Sequence, residues 1–341
     1  LILDVRFLNV AKRVFQYWNP ILAAANAETL SGYNIFTLME RERWLEFSSA
    51  GFNVHLILFD TLNGFFKKRW CESVTYVFEN QPWEKMLCLA ANQNNIKTVG
   101  YQHSVISRPY LSQFIGKTES LFTPLPHKLI TSGRHSARLY KEGGMPEDKI
   151  AVGGAWRYMY AVSAEWCGAF TKKTFSAKPV ILVLLSRNIT MAKSTFEGIF
   201  RAITDNNLAD EMEFWVKPHP ANTRYELKKL NRLISGYRVV DKPLGTLLKD
   251  LDVVIGTASI CGLEAFLCGK KAILYIPENL LAADPLMDID NEKVYKWYEG
   301  ESIDVNFLKN LCARPDESIN TLRSHYFGEI NNEIWLKDVS I

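Results

Sequence analysis

Glu213-Phe-Trp-Val-Lys-Pro-His-Pro220 and, further along, Leu251-Asp-Val-Val-Ile-Gly-Thr-Ala-Ser259 decide the fold of this chain. Each is a short apolar run ending in small or polar residues, the pattern of a buried parallel strand that delivers a polar loop at its C-terminal edge. That edge is where α/β proteins bind ligands. Lys217 and His219 supply donors there, and Thr257, Ser259 and the free amides of the following helix supply more, so the two loops together suit a nucleotide phosphate. The prolines flanking His219 have fixed φ angles and present its imidazole in one direction, toward a phosphate or leaving group; a turn histidine bonded to a nearby carbonyl is the plainer alternative. Gly256 permits close approach of the backbone.

Strand-like and helical runs alternate outward from these two segments, which argues for βα repeats and parallel sheets. The first half offers strands at Val54–Asp60, Val74–Phe78, Lys97–Tyr101, Lys128–Thr131 and Ile150–Val152, with helices at Trp83–Asn94 and Arg134–Gly143. Gly143-Gly144 suits a helix stop. The second half offers strands at Val180–Leu185, Glu213–Val216, Tyr237–Val240, Val253–Ile255 and Ala272–Ile276, with helices at Ser194–Asn206, Arg224–Ile234, Leu244–Lys249 and Gly262–Cys268. The expected fold class is α/β with two doubly wound Rossmann-like domains facing an interdomain cleft. The expected division is an acceptor-side domain over 1–155, a crossover over 156–178 and a nucleotide-sugar-binding domain over 179–341.

Composition narrows the function. The 341 residues carry 40 Lys and Arg against 37 Asp and Glu, too small an excess for a duplex nucleic acid to be the main partner. The six cysteines form no C-x-x-C pair, so reduced thiols, a cytoplasmic location and no zinc site are expected. No apolar run reaches transmembrane length, which leaves peripheral contact with the inner membrane open. The first residue is Leu, so part of the native N-terminus is expected to be missing. Absence of G-x-G-x-x-G, of a P-loop and of G-x-S-x-G argues against a dinucleotide oxidoreductase, a P-loop NTPase and a serine hydrolase. Asp250-Leu-Asp252 and Asp288-Ile-Asp290 are the nearest approach to a metal motif; the first pair suits capping, and no metal or other cofactor is expected.

The first half has its own concentrated signal in Tyr76-Val-Phe-Glu-Asn-Gln-Pro-Trp-Glu84 and Gly100-Tyr-Gln-His-Ser104. Two strands eject Glu79 and His103 at the same edge. The pair suits acid–base work or a hydrogen-bonded scaffold, with His103 leaning to substrate contact. In the second half Leu184-Leu-Ser-Arg-Asn188 closes a strand and places Ser186 and Arg187 among the donor-binding candidates. A guanidinium fork there matches a phosphate or carboxylate, or is simply an exposed loop arginine.

Taken together, Phe78-Glu-Asn-Gln-Pro-Trp-Glu84, Gln102-His-Ser104, Lys217-Pro-His-Pro220 and Gly256-Thr-Ala-Ser259 resemble bacterial surface-polysaccharide glycosyltransferases of the GT-B fold, nearest to the retaining β-Kdo transferases of O-antigen and capsule assembly. The likeness implies transfer of an acidic sugar, Kdo, from a CMP-sugar donor to a glycan acceptor that is lipid-linked or free. It implies that Lys217 and His219 contact the CMP phosphate, that Thr257 and Ser259 complete its cradle, and that Glu264 lies near the ribose; an ordinary surface glutamate is the alternative for Glu264. A retaining displacement needs a cleft carboxylate, and Asn188 stands where one is sought. Either Glu79 or another acid then takes that role, or Asn188 replaces an Asp. The other functional readings are a UDP-sugar glycosyltransferase and a non-catalytic nucleotide-binding scaffold module.

Overall fold

The computed structural model describes residues 29–30, 33–34, 40–42, 45, 50–68, 71–117, 119–162, 178–222, 237–281, 283–313 and 319–339. The chain divides into two compact units, one of residues 1–101, 116–129 and 335–341, the other of residues 102–115 and 130–334.

Among the described residues, the first elements in chain order are a short antiparallel pair, β1 (Thr29–Leu30) and β2 (Tyr33–Asn34). Then follow α1 (Ala50–Lys68), β3 (Ser73–Val77), α2 (Pro82–Gln93), β4 (Lys97–Tyr101), β5 (Lys128–Thr131), α3 (Arg134–Glu142), β6 (Ile150–Val152) and α4 (Met159–Val162). Strands β3 to β6 form one sheet in sequence order, with β3 and β4 parallel. The sequence-based strand over Val54–Asp60 is corrected: these residues lie inside the 19-residue helix α1. Leu56-Ile-Leu-Phe59 is a continuous apolar run, which carries neither the alternation of a strand nor the spacing of a helix, so local pattern alone does not separate the two. Length does, because α1 runs far past strand size. Its Thr61 hydroxyl donates to the Ile57 carbonyl one turn back, and Asn63 accepts from Asn94 just beyond α2.

The second sheet holds β7 (Val180–Leu184), β8 (Glu213–Lys217), β9 (Tyr237–Val239), β10 (Val253–Gly256), β11 (Lys271–Ile276) and β12 (Tyr295–Tyr298). Its strand order is β12-β11-β10-β7-β8-β9, all parallel. The chain thus winds outward from β7 to β9, returns beside β7 as β10, and winds the other way to β12. That reversal makes a doubly wound Rossmann-like sheet with its switch point between β7 and β10.

β7 shows why its sequence is uniformly apolar. Val180, Leu182 and Leu184 enter the core on one face, Ile181, Val183 and Leu185 the core on the other, and all are buried. Successive side chains of a strand point to opposite faces, so a strand covered on both sides has no position for a polar residue. One cover is α5 (Ile189–Asp205), whose buried Ala192, Phe196, Ile199, Phe200 and Ile203 recur at helical spacing. Further helices among the described residues are α6 (Leu244–Leu247), α7 (Ile260–Leu267), α8 (Val305–Ala313), α9 (Asn320–Tyr326) and α10 (Asn332–Val339). The helix expected over Arg224–Ile234 lies outside the described residues. Among those described, no helix is long and apolar enough to cross a membrane.

Candidate functional site

The loops that leave β7 and β10 carry Ser186, Arg187, Asn188, Thr257 and Ser259, and the loop leaving β8 carries His219. Together they line the switch-point end of the six-stranded sheet. Asn222, just past His219, donates through Nδ2 to the Ser186 carbonyl at 3.4 Å and so ties the β8 loop to the β7 loop. Lys217 ends β8 and donates to the Lys242 carbonyl at 2.7 Å, leaving two of its ammonium protons for other acceptors. His219 is half-buried, and its Nδ1 accepts the Ala221 amide at 3.1 Å, which puts the proton of the neutral ring on Nε2. Burial first, then the charges of Arg187, Lys217 and Arg157, lower its pKa, so it is a neutral donor near pH 7.

Arg157 is the residue that sequence reasoning missed. It lies on a turn just after β6, where Nη1 donates to the Ser104 hydroxyl at 2.8 Å, and it lies within electrostatic reach of His219 and Glu264. The signal for it was present in Gly153-Gly-Ala-Trp-Arg157, a strand ending in small residues like the other loops of the site. Glu264 on α7 is buried, and it accepts a hydrogen bond from the Tyr160 hydroxyl. Burial raises its pKa, against the bond from Tyr160 and the charges of Arg157 and Lys217. It is therefore no surface residue. Cys261, one turn earlier, is pushed up to about 12 by burial and stays a thiol.

The loop after β10 is shaped by a residue that the sequence did not single out. Asp284 is buried and accepts the amides of Ser259 at 2.9 Å and Leu286 at 2.8 Å. Burial nevertheless raises its pKa to about 6. Ala258, at φ 50, takes the left-handed turn that sets Ser259 as the N-cap of α7. Thr257 is fully buried and its hydroxyl donates to the Tyr275 carbonyl, so that proton is committed inside the fold. Close approach at Gly256 is to Leu184 of β7, whose Cβ would stand 3.0 Å from an added methyl.

Asn188 has a structural role. Its Oδ1 accepts the amides of Thr190 at 3.0 Å and Met191 at 3.1 Å, which makes it the N-cap of α5. Asn188→Ala is expected to cost about 1 kcal/mol, the usual loss for such a cap, whereas Asn188→Asp should keep the stability of the parent. Urea denaturation of both variants checks the pair.

His103 is half-buried in the second unit, beside Ser104. Glu79 belongs to the first unit and is exposed. Its neighbour Glu84 is the buried acid of that turn, accepting the amides of Glu79 at 2.8 Å and Asn80 at 3.1 Å and so holding Asn80 at φ 55. Burial raises the Glu84 pKa from 4.5 to about 7. The folded state therefore binds this proton more tightly than the unfolded chain, so the stability it contributes is full below pH 4.5 and is lost as pH rises through about 7. Glu84→Gln carries no titrating proton, and its urea midpoint should change less between pH 4.5 and 8 than that of the parent. Equal pH slopes would remove Glu84 as the cause. Among the described residues no group of His, Cys, Asp and Glu is arranged to hold a metal.

No family model matches the chain, and no curated protein sequence matches it. Solved structures do. UDP-GlcNAc 2-epimerase from Methanocaldococcus jannaschii superimposes with a TM-score of 0.51 at 14% identity, over 83% of this chain and 81% of that one. The enzyme from Neisseria meningitidis, bound to UDP-GlcNAc, gives 0.51 at 12% identity over 89% and 88%. That from Rickettsia bellii gives 0.50 at 14% identity over 82% and 74%. This chain shares their fold, an α/β architecture with parallel sheets in two Rossmann-like parts.

These neighbours overturn the reading as a CMP-Kdo transferase of O-antigen or capsule, and with it the CMP-sugar donor: the architecture is that of epimerases named for a UDP-sugar. The physical reason is plain. A lysine, a histidine donor, a serine and a helix N-terminus recognise phosphate, and phosphate is common to every nucleotide-sugar, so those motifs carry no information on base or sugar.

Proposed function

We propose that this chain is an enzyme that processes a UDP-sugar. The observation that carries the reading is the set of cations Arg187, Lys217 and Arg157 about His219, itself an Nε2–H donor, of which Lys217 and Arg157 also act on Cys261 and the buried Glu264 of α7. A diphosphate has the charge to meet three full cations, and the amides at the helix start add to them. Ser259 caps the same end. Glu264 then takes the ribose, an acceptor facing hydroxyl donors. If the bond between the sugar and the diphosphate breaks, the negative charge that gathers on the departing UDP falls among fixed donors, which stabilises the transition state more than the bound sugar nucleotide. The likeness to epimerases that act on UDP-GlcNAc supports the uridine nucleotide over the cytidine one.

Isothermal calorimetry with UDP, CMP, GDP and ADP, without added metal and in EDTA, tests the binding half. UDP should bind most tightly, and preference for CMP would sink the reading. Incubation with UDP-GlcNAc, followed by proton and phosphorus NMR, tests the chemistry through release of UDP or inversion at a sugar carbon. Tight UDP binding with an unaltered UDP-sugar in the presence of acceptor glycans would leave a binding protein and no enzyme.

A further inference from the structure

Glu264 and Tyr160 stand 104 positions apart in sequence and meet through one hydrogen bond, from the tyrosine hydroxyl to Oε2. Among the described residues no other side chain hydrogen-bonds this carboxylate, so Oε1 is left without a protein donor. Oε1 is not among the buried oxygens that lack a partner, so it reaches solvent, and an acceptor open to solvent beside the charges of Arg157 and Lys217 is placed to receive a donor from outside the chain.

The turn that brings Tyr160 is firmly seated. Tyr158 is buried and stacks on Phe327, ring centroids 4.4 Å apart at 18°. Arg157 and Tyr160 flank it three residues apart, the spacing that puts two side chains on one face of a helical turn. Arg157 acts on Glu264 through its charge and Tyr160 through its hydroxyl. The Tyr160 ring packs against Gly245 of α6, at 3.7 Å from where a Cβ there would stand. The ring thus packs between the core and α6, with its hydroxyl on Oε2 of Glu264.

We propose that Tyr160 is a positioning residue for nucleotide selection: by holding Oε2 of Glu264 it aims Oε1 at a ribose hydroxyl, and so sets the preference of this site for ribose over deoxyribose. This rests on the reading of the site as a nucleotide site and extends it to the sugar of the nucleotide. Tyr160 itself touches no ligand. A mobile Glu264 would lose directional acceptance while the cations kept their hold on the phosphates, so the effect belongs to ribose selection and not to overall affinity.

The experiment measures dissociation constants of UDP and ADP and of their 2′,3′-dideoxy forms, for the parent, Tyr160→Phe, Glu264→Gln and the double variant. The parent should favour the ribose form by about tenfold or more, as for one hydrogen bond to a charged group. Tyr160→Phe, which keeps the ring and its packing, should reduce that ratio to about threefold or less while binding of the dideoxy forms stays near the parent's. In the Glu264→Gln background the same change should do nothing further, since its route is through the carboxylate. A full ribose preference in Tyr160→Phe, additive effects in the double variant, or a parent indifferent to the ribose hydroxyls would each overturn the proposal, the last without touching the UDP reading. Ribose preference shown with ADP but not UDP would keep the proposal and defeat the uridine assignment. A chain that binds none of these nucleotides defeats both.

Discussion

Replacing Lys217 and His219 together by alanine should weaken UDP binding by about a hundredfold or more, because on the proposed reading each change removes a hydrogen bond to a charged phosphate worth about 1.5–3 kcal/mol. The two are near neighbours on one loop, so their effects are not expected to add in full. Lys217 brings a cation fixed by its bond to the Lys242 carbonyl, and His219 brings a neutral donor whose tautomer is set by the Ala221 amide. Because burial and neighbouring cations hold the His219 pKa below its ordinary 6.5, the neutral ring predominates from pH 6.5 upward, and loss of a histidine charge should lower UDP affinity little between pH 6.5 and 8. Calorimetry across that range, on parent and double variant, checks both statements. Affinity in the double variant within threefold of the parent would place the phosphates elsewhere.

Gly154→Ala should cost roughly 3–5 kcal/mol, the sum of a strained backbone and a steric overlap. Gly154 has φ +99, outside the regions that side chains tolerate, and a Cβ there would stand 2.3 Å from the Glu329 carbonyl oxygen. Neither atom can yield cheaply, since both belong to backbone that is paired on each side: Ala155 donates to Gly328 at 3.0 Å and Asn331 to Gly153 at 3.1 Å. The same strain would displace the turn with Arg157 and Tyr160, so loss of nucleotide affinity should accompany loss of stability. A urea midpoint unchanged from the parent would show that the segment around Glu329 moves aside freely.

Several parts of this molecule were legible in the sequence, each for a local reason. The inner strands β7 and β10 are apolar runs because burial on both faces leaves no alternative, and β7 to β11 fell within a residue of their expected limits, whereas the edge strand β12, Tyr295-Lys-Trp-Tyr298, was not expected, since a half-exposed edge mixes polar and aromatic residues. Helix α2 announced itself by Pro82 in its first turn, and the end of α3 by the paired glycines, of which Gly144 has φ 102. Val54–Asp60 failed because a short continuous apolar run suits strand and helix alike, and only its 19-residue context separates them. Asn188 shows a second ambiguity. A polar residue at a strand exit looks like a ligand contact, but the same place is where a helix begins and needs a cap.

Sequence by itself determined the α/β class, the placing of Lys217, His219 and Ser259 on loops at strand exits, and the lack of P-loop and dinucleotide fingerprints. These follow from nearest-neighbour patterning: period, punctuation and residue chemistry within a few positions. What only the tertiary structure decided are the relations across long separations. Strand order put the loops of β7 and β10 side by side at the switch point. The fold brought Tyr160 to Glu264, Arg157 into the field of His219, and the Asp284 carboxylate beneath Ser259. It also turned the Thr257 hydroxyl inward to Tyr275. None of these is visible along the chain, because burial, desolvation and hydrogen-bond partnership are properties of neighbours in space, and a side chain's chemistry is settled by which neighbours the fold supplies.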